Sequence, residues 1–273
     1  MGTLYLVGTP IGNLEDITLR ALRVLRQADL IACEDTRHTG RLLAHYGIER
    51  PLLSYFDAAR DKPARIKRIL AALERGDVAL VSDAGTPGLS DPGYELVQAA
   101  LARGIEVVSI PGPSALTAAL SASGLPTGRF LFVGFLPRKR GERRQVLAEV
   151  KDRRETLVFF EAPHRLRGAL ADATDILGPE RRVALCRELT KRFEEVWRGT
   201  LAEAQAVWGE REPRGEFTLV VGGAPEPAAW GEDRVRAAMR RALAAGVSRS
   251  EAARRVARES GWAKGDVYGL DVG

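Results

Sequence analysis

Short apolar runs alternate with amphipathic segments from residue 3 to about residue 222. Each apolar run spans four to six residues, a length that is typical of β-strands. The runs predicted to be strands are 4–7, 30–33, 78–81, 105–110, 130–135, 156–160, 183–186 and 217–221.

The segments between these runs place apolar residues about three or four positions apart, which predicts helices with one buried face. The main predicted helices lie around Leu19, Leu22 and Leu25, near 39–46, over 94–103 and over 115–123. A chain that alternates strands and helices in this way predicts an α/β fold with largely parallel strands.

The strand–helix rhythm restarts near residue 112, and the composition changes again after a predicted linker at 224–227. We therefore predict an α/β domain over 1–112, a second α/β domain over 113–223 and a small arginine-rich helical extension over 230–273. Two α/β units joined by a short connection usually hold a ligand in the cleft between them.

The loop after the strand 78–81 has an open backbone. Between residues 82 and 93 it carries three glycines, two prolines and two aspartates. With so little side-chain bulk, the loop can lie against a ligand while its carboxylates bond to polar groups of that ligand. An ordinary turn between a strand and a helix favours the same residues, so this loop alone does not decide between the two.

Ionisable residues crowd the ends of three other strands, at 34–39, 161–165 and 187–191. The carboxyl ends of strands are where α/β proteins hold ligands, although acidic residues at these positions also cap helices. His164 suits a base, and it equally suits a structural histidine at a helix entry.

Several kinds of site and segment are missing from the sequence. The glycines of the first loop, 8–14, do not follow the G-x-G-x-x-G spacing, and neither a G-x-S-x-G elbow nor a Walker loop occurs. No residues have metal-ligand spacing, so we expect no metal. There is no apolar run of about 18 residues and no signal-peptide pattern. Cys33 and Cys186 lie in apolar runs, so we expect buried free thiols and a cytoplasmic location.

Basic residues exceed acidic ones, and most of them are arginines. The chain has 41 basic and 36 acidic residues, and 35 of the basic residues are arginine. Arginine suits phosphates and stacks on bases, which favours a polyanionic partner, although a general arginine bias would give the same count. The densest basic run, 137–144, is predicted to be an exposed loop that contacts phosphates. The arginines between 234 and 258 suit nucleic acid or a solvated surface.

A series of short motifs occurs in the order in which one protein family has them. The motifs are LVGTPIGNL (6–14), EDTRHT (34–39), SDAGTP (82–87), SDPG (90–93), PGPSA (111–115), GFLP (134–137), HR (164–165) and RELTK (187–191). Through them the chain resembles the ribosomal RNA small subunit methyltransferase I family, a branch of the tetrapyrrole methylase superfamily. Arg214 stands where this family usually has lysine, and the glycine-rich stretch 265–270 stands where relatives tend to be helical.

The resemblance implies two α/β domains of the tetrapyrrole methylase (class III methyltransferase) type with a cleft between them, and a small helical C-terminal extension. It implies an S-adenosylmethionine-dependent enzyme that methylates the ribose 2′-oxygen of a cytidine in 16S rRNA near the decoding site. It further implies a homodimer that acts on 16S rRNA or on the small ribosomal subunit. The residues that it places at the cofactor are Thr9, Pro10, Asp83, Ala84, Gly85, Pro87, Ser114, Ala115, Gly134 and Leu185.

Methyl transfer to a ribose hydroxyl is helped by a base, because the hydroxyl is a weak acid. The candidate bases are the strand-end carboxylates Asp35, Glu161 and Glu188. Nearby cationic side chains suit the phosphates of the RNA. The predicted RNA-binding residues are Arg37, Arg138, Lys139, Arg140, Arg143, Arg165 and Lys191.

Three other functions stay open on the sequence. A tetrapyrrole methylase would share the cofactor loops without needing the basic run at 137–144. A nicotinamide-dependent oxidoreductase fits less well, because the glycine spacing after the first strand is wrong for it. A non-catalytic RNA-binding module would not explain the cofactor-like loops of the cleft. Calorimetry that measures binding of S-adenosylmethionine would distinguish a methyltransferase from an oxidoreductase or an RNA-binding module.

Overall fold

The computed structural model describes residues 1–55, 61–225 and 229–272, and it confirms the predicted α/β class. The strands in these ranges are β1 (Leu4–Val7), β2 (Leu30–Cys33), β3 (Leu52–Ser54), β4 (Val78–Val81), β5 (Val107–Ile110), β6 (Phe130–Phe135), β7 (Thr156–Glu161), β8 (Arg182–Arg187), β9 (Glu195–Thr200) and β10 (Phe217–Val221). The α-helices are α1 (Leu19–Gln27), α2 (Thr36–His45), α3 (Lys62–Leu73), α4 (Tyr94–Leu101), α5 (Ala115–Ala122), α6 (Arg140–Val150), α7 (Pro163–Leu177), α8 (Leu201–Glu210), α9 (Glu232–Ala244), α10 (Arg249–Ser260) and α11 (Lys264–Gly269).

The first sheet has the strand order β3-β2-β4-β1-β5, and all of its pairings are parallel. Its central strands are buried on both faces: Ile31 packs into one apolar cluster, and its neighbour Ala32 packs into another. This double burial explains why the sequence shows continuous apolar runs and no alternation. Because the strands are parallel, the loops after β1, β2 and β4 all leave the same edge of the sheet.

The second sheet has the strand order β6-β7-β10-β8-β9. β6 and β7 pair in parallel, whereas the other three pairings are antiparallel. The prediction of largely parallel strands is therefore right for the first sheet and wrong for the second. The connection from β8 to β9 spans only 188–194, which is too short for the crossover that a parallel pair needs.

The apolar pattern of the sequence misses β3 and β9, which are edge strands of the two sheets. β3 has three residues, all half-buried, and β9 contains charged residues at Glu195 and Arg198. Edge strands bury less apolar surface than central ones, so their sequences carry a weaker signal.

Strand β6 contains a β-bulge near its carboxyl end. Phe132 pairs with Val158 and Gly134 pairs with Phe159, so Val133 is an additional residue on β6. Gly134 has φ = +79°, a conformation that favours glycine.

The described residues of 225–273 form one compact unit, and those of 1–224 form another. In the unit 225–273, helices α9, α10 and α11 enclose an apolar core that includes Val235, Met239 and Val267. Val267 is fully buried, so the glycine-rich last segment is held as helix α11.

The boundary predicted near residue 112 stays a prediction; the two sheets lie in 4–110 and 130–221. The linker predicted at 224–227 lies partly outside the described residues.

Both cysteines are buried and free, as predicted. Burial raises the pKa of the Cys33 and Cys186 thiols to about 11, so both are protonated near neutral pH. The described helices include none with the length and apolar character that a membrane crossing needs.

Candidate active site

A cavity of about 450 Å³ lies where the loops of the first sheet meet the end of the second sheet. Its size and its largely apolar lining are typical of small-molecule sites. The loops around the first sheet contribute Ile11, Ala84, Gly85, Thr86, Leu89, Ser90, Asp91, Ser114, Ala115 and Leu116. The second half contributes Phe132, Phe135, Phe160, Glu161, Ala162, Pro163, His164, Glu216, Phe217 and Thr218.

The loops after β1 and β4 are tied together at Thr9. Its backbone N–H donates to the Gly85 carbonyl at 2.9 Å, and the Gly85 N–H returns a bond to the Thr9 carbonyl at 3.0 Å. The Thr9 hydroxyl also donates to the Ser82 carbonyl at 3.1 Å. Thr9 is buried, so it supports this wall of the cavity and leaves Gly85 to line it.

The segment after β5 reaches the same loops because two glycines lie against each other. A Cβ on Gly8 would lie 2.9 Å from the Cα of Gly112, and a Cβ on Gly112 would lie 2.9 Å from the Gly8 carbonyl oxygen. Neither position has room for a side chain. This close approach lets Ser114 and Ala115 join Gly85 at the cavity.

Asp35 is a helix cap, and its carboxylate holds Arg37. The carboxylate accepts bonds from the Arg37 backbone N–H at 2.8 Å and from the guanidinium at 2.7 and 3.1 Å. The bonds from the Arg37 guanidinium, and after them the bond from the Arg37 backbone N–H, hold the pKa of Asp35 well below its ordinary value. The Asp35 N–H donates to Asp83 at 3.1 Å, which joins the loops after β2 and β4. Asp35 does not line the cavity.

Glu161 is a buried carboxylate in the cavity lining, with 0% of its side chain exposed. It accepts a bond from the Ala162 N–H at 2.9 Å and lies 3.0 Å from the Arg165 Nε. Burial raises the pKa of Glu161, and the Ala162 N–H and Arg165 offset only part of that rise. A carboxylate in this state binds a proton more readily than an ordinary one does.

Glu188 belongs to a charged cluster with Lys191 and Glu216. The Lys191 ammonium lies 2.9 Å from the Glu188 carboxylate and 2.8 Å from that of Glu216. Burial raises the pKa of Glu188, but hydrogen bonds from Lys191 and from the Glu216 N–H bring it below its ordinary value. The same two carboxylates compensate the charge of Lys191.

The predicted cofactor residues occupy different places relative to the cavity. Four of them line it: Ala84, Gly85, Ser114 and Ala115. Pro10 and Pro87 are buried beside the lining loops, and Leu185 is in the apolar core of the second sheet. Gly134 lies near Ser90, whose hydroxyl would be 3.3 Å from a Cβ at that position.

The predicted RNA-binding residues divide by exposure. Arg37, Lys139 and Arg140 have 86%, 82% and 74% of their side chains exposed, and Arg138 is exposed as well. Arg143, Arg165 and Lys191 are less exposed, and each pairs with a neighbouring carboxylate.

Arg143 is buried against Asp172, and only 14% of the Arg165 side chain is exposed. Arg165 also donates to the Leu136 carbonyl. Both side chains are largely buried, so we leave Arg143 and Arg165 out of the proposed RNA surface.

Sequence reasoning missed the aromatic part of the cavity, which Phe132, Phe135 and Phe160 form. The ring centroids of Phe132 and Phe160 are 5.0 Å apart, and those of Phe135 and Phe160 are 5.5 Å apart, both edge to face. The available signal was the motif GFLP, in which a glycine precedes a phenylalanine at the end of a strand. In the part of the chain that the structure describes, no group of His, Cys, Asp and Glu residues could hold a metal ion.

The sequence and the fold match a known class of enzymes. A profile of the family Tetrapyrrole (Corrin/Porphyrin) Methylases matches residues 3–205. A solved uroporphyrin-III C-methyltransferase from Thermus thermophilus is 28% identical, with a TM-score of 0.55 over 81% of this chain and 94% of that chain. A Thermus thermophilus structure of this name in complex with S-adenyl homocysteine is 23% identical, with a TM-score of 0.55 over 81% and 97%.

Relatives with about half of their residues identical identify one family within this class. A protein from Synechocystis is 49% identical over 100% of this chain and 98% of its own length, and one from Thermotoga maritima is 50% identical over 82% and 99%. Both are named ribosomal RNA small subunit methyltransferase I. The chain belongs to the ribosomal RNA small subunit methyltransferase I family, within the tetrapyrrole methylases.

Proposed function

We propose that this protein is an S-adenosylmethionine-dependent methyltransferase that acts on the RNA of the small ribosomal subunit. Relatives about half identical to it are named for this activity. The observation that carries the proposal is the buried Glu161 carboxylate, which lies in a cavity lined by open backbone and exposed apolar groups. Such a site suits a small cofactor beside an acceptor that must lose a proton.

The residues of the cavity fit S-adenosylmethionine. Gly85, at φ = +84°, brings backbone without a side chain to the cavity, and Ser90, Asp91 and Ser114 offer polar groups for hydroxyl and amino groups. The alkyl side chains of Ile11, Leu89 and Leu116 in the lining suit a purine ring. When bound, S-adenosylmethionine supplies an electrophilic methyl group on a sulfonium sulfur.

We further propose that the methyl acceptor is the ribose 2′-oxygen of a cytidine in 16S rRNA near the decoding site. The ordered sequence motifs support this acceptor. The chemistry of the cavity is consistent with it, because a ribose hydroxyl is a weak acid and gains from a positioned base. The exposed cations Arg138 and Lys139, close to the end of β6, suit the flanking phosphates.

We assign the base to Glu161. Its raised pKa makes it a stronger base than Asp35 or Glu188, whose carboxylates are held in the charged form by cationic partners. In this role the Glu161 carboxylate accepts the proton of the ribose hydroxyl, and the oxygen is then able to receive the methyl group that S-adenosylmethionine would supply, with the electrons of the broken carbon–sulfur bond staying on sulfur. Arg165 is the positioning residue, because it pairs with the Glu161 carboxylate from the first turn of α7.

The test is single-turnover transfer of a labelled methyl group to small-subunit RNA, followed by mapping of the modified nucleotide. Glu161→Gln is expected to reduce the rate about 10²–10⁴-fold, the usual contribution of a general base. Asp35→Asn and Glu188→Gln are the matched controls and should retain most of the rate. Because the base must be deprotonated, the wild-type rate should rise with pH through a pKa above the ordinary glutamate value, and Glu161→Gln should lose that rise.

Methylation of a position other than a ribose 2′-oxygen would overturn the proposed acceptor. An unchanged single-turnover rate in Glu161→Gln would remove Glu161 as the base. Methylation of a tetrapyrrole with none of RNA would favour the small-molecule branch of the superfamily. If S-adenosylmethionine does not bind in calorimetry, the enzyme assignment itself fails.

We also propose a homodimer, as the resemblance implies, and leave naked 16S rRNA and the assembled small subunit as the two forms of the substrate. Light scattering of the purified chain tests the dimer. Parallel assays on free rRNA and on small subunits decide between the two substrates.

A further inference from the structure

Phe135 is an exposed aromatic ring at the edge of the cavity. It lines the cavity and yet has 55% of its surface exposed. Its ring meets that of Phe160 edge to face at 5.5 Å, so its position is supported from one side while part of it stays free. Leu89, which also lines the cavity, is 47% exposed, and exposed apolar groups that gather at a cavity mark a binding surface.

The bulge in β6 is what brings Phe135 to this face of the sheet. Leu131 and Val133 pack into the core on one face, and regular alternation would place Phe135 on that same face. The additional residue shifts the register by one, so Leu136 enters the core in its place. Phe135 then stands beside Phe160, with which it pairs across the two strands.

The surroundings of Phe135 match the parts of a nucleotide. Glu161 follows Phe160 directly, so the proposed base stands at the end of the neighbouring strand. Along its own chain, Phe135 is followed three and four residues later by the exposed Arg138 and Lys139. An aromatic face with a carboxylate on the neighbouring strand and cations further along its own chain suits a nucleobase, its ribose hydroxyl and its phosphates.

We propose that Phe135, supported by Phe160, is the stacking platform for the nucleobase of the methylated nucleotide, which is turned out of the RNA into the cavity mouth. This inference rests on the proposed function, since it concerns the RNA substrate of that reaction. Proteins that recognise single-stranded RNA loops commonly hold splayed-out bases against aromatic side chains. Stacking of this kind tolerates any base, so the platform positions the nucleotide and does not select its sequence.

The test compares Phe135→Ala with Phe130→Ala in the full-length protein. Phe130 is the matched control, because it lies on the same strand and is 44% exposed but does not line the cavity. Phe135→Ala should lower kcat/KM for small-subunit RNA by about 5- to 150-fold, the usual range for the loss of one stacked base. Phe135→Tyr and Phe135→Trp keep an aromatic face and should restore most of the activity, while Phe130→Ala should stay near wild type.

A second measurement separates the base from the cofactor. Calorimetric affinity for S-adenosylmethionine should be the same in Phe135→Ala and in the wild type. If that affinity falls together with the activity, the ring belongs to the cofactor site and the inference is overturned. It is equally overturned if Phe135→Ala and Phe130→Ala are indistinguishable in an assay in which the wild type methylates RNA. A wild type that methylates no RNA overturns both the proposed function and this inference.

Discussion

Asp172→Asn is expected to lower the free energy of unfolding by about 3–5 kcal/mol. The Asp172 side chain, on α7, is 2% exposed and accepts bonds from Arg143 on α6 at 2.6 and 2.8 Å. Arg143 is itself only 9% exposed, so the variant leaves a buried guanidinium without its counter-charge. Asp172 also pairs with Arg140 and Arg144, but these partners are 74% and 36% exposed and each pair contributes at most about 1 kcal/mol.

Urea denaturation followed by tryptophan fluorescence measures the change. Asp175→Asn is the matched control: Asp175 lies one turn further along α7 and pairs with Arg144 at 2.6 Å, but its side chain is 63% exposed. We expect the control to lose less than about 1 kcal/mol. A similar small loss in Asp172→Asn would refute the reasoning, because the buried guanidinium would then have found water or another acceptor.

The pairing of Asp172 with Arg143 also predicts how the stability of the protein depends on pH. Burial raises the pKa of Asp172, but hydrogen bonds from Arg143 and its two neighbours bring it below the ordinary value. The stabilisation is therefore fully present above the unfolded-state pKa of about 3.9 and is lost as the pH falls through the lower folded-state pKa. The difference in stability between the wild type and Asp172→Asn should shrink as the pH falls in that range.

Two further predictions concern the RNA surface and the loop after β1. The double variant Arg138→Glu/Lys139→Glu should weaken RNA binding and reduce the slope of log K against log salt by about 1.4–1.8, and an unchanged slope would remove this loop from the RNA site. Gly12→Ala should destabilise the protein by about 1–3 kcal/mol, because its Cβ would lie 2.3 Å from the Lys191 Cγ. Gly141→Ala meets nothing within 4 Å and should be neutral or stabilising, so equal losses in the two glycine variants would contradict the packing argument.

The first sheet could be predicted from the sequence because its central strands are buried on both faces. Strand β4, Val78–Val81, is entirely buried and stands out as an unbroken apolar run. The second sheet was predicted less well, because β9 is an edge strand with charged residues and strand direction leaves no mark on an apolar run. Direction follows from the length and course of the connections, which are properties of the folded chain.

That the loops after β1 and β4 come together at the cavity could also be predicted from the sequence. Parallel strands end at one edge, so the loops that carry Thr9 and Gly85 had to come close to each other. The pairing of Arg143 with Asp172 was not predictable in this way. The two residues are 29 positions apart on different helices, and only the packing of α6 on α7 brings them together. A basic run therefore looks fully exposed in the sequence, although one of its arginines is buried.

The end of β6 connects the proposed base with the proposed stacking platform. Gly134 permits the bulge, the bulge presents Phe135 to the cavity, and Leu136 enters the core. The Leu136 carbonyl then accepts a hydrogen bond from Arg165, whose guanidinium pairs with Glu161. Because one short segment fixes both groups, a change in its backbone should move the ring and the carboxylate together. Substitutions at Gly134 should therefore impair RNA use and proton transfer jointly, whereas Phe135→Ala should impair the first and leave the pH dependence set by Glu161 unchanged.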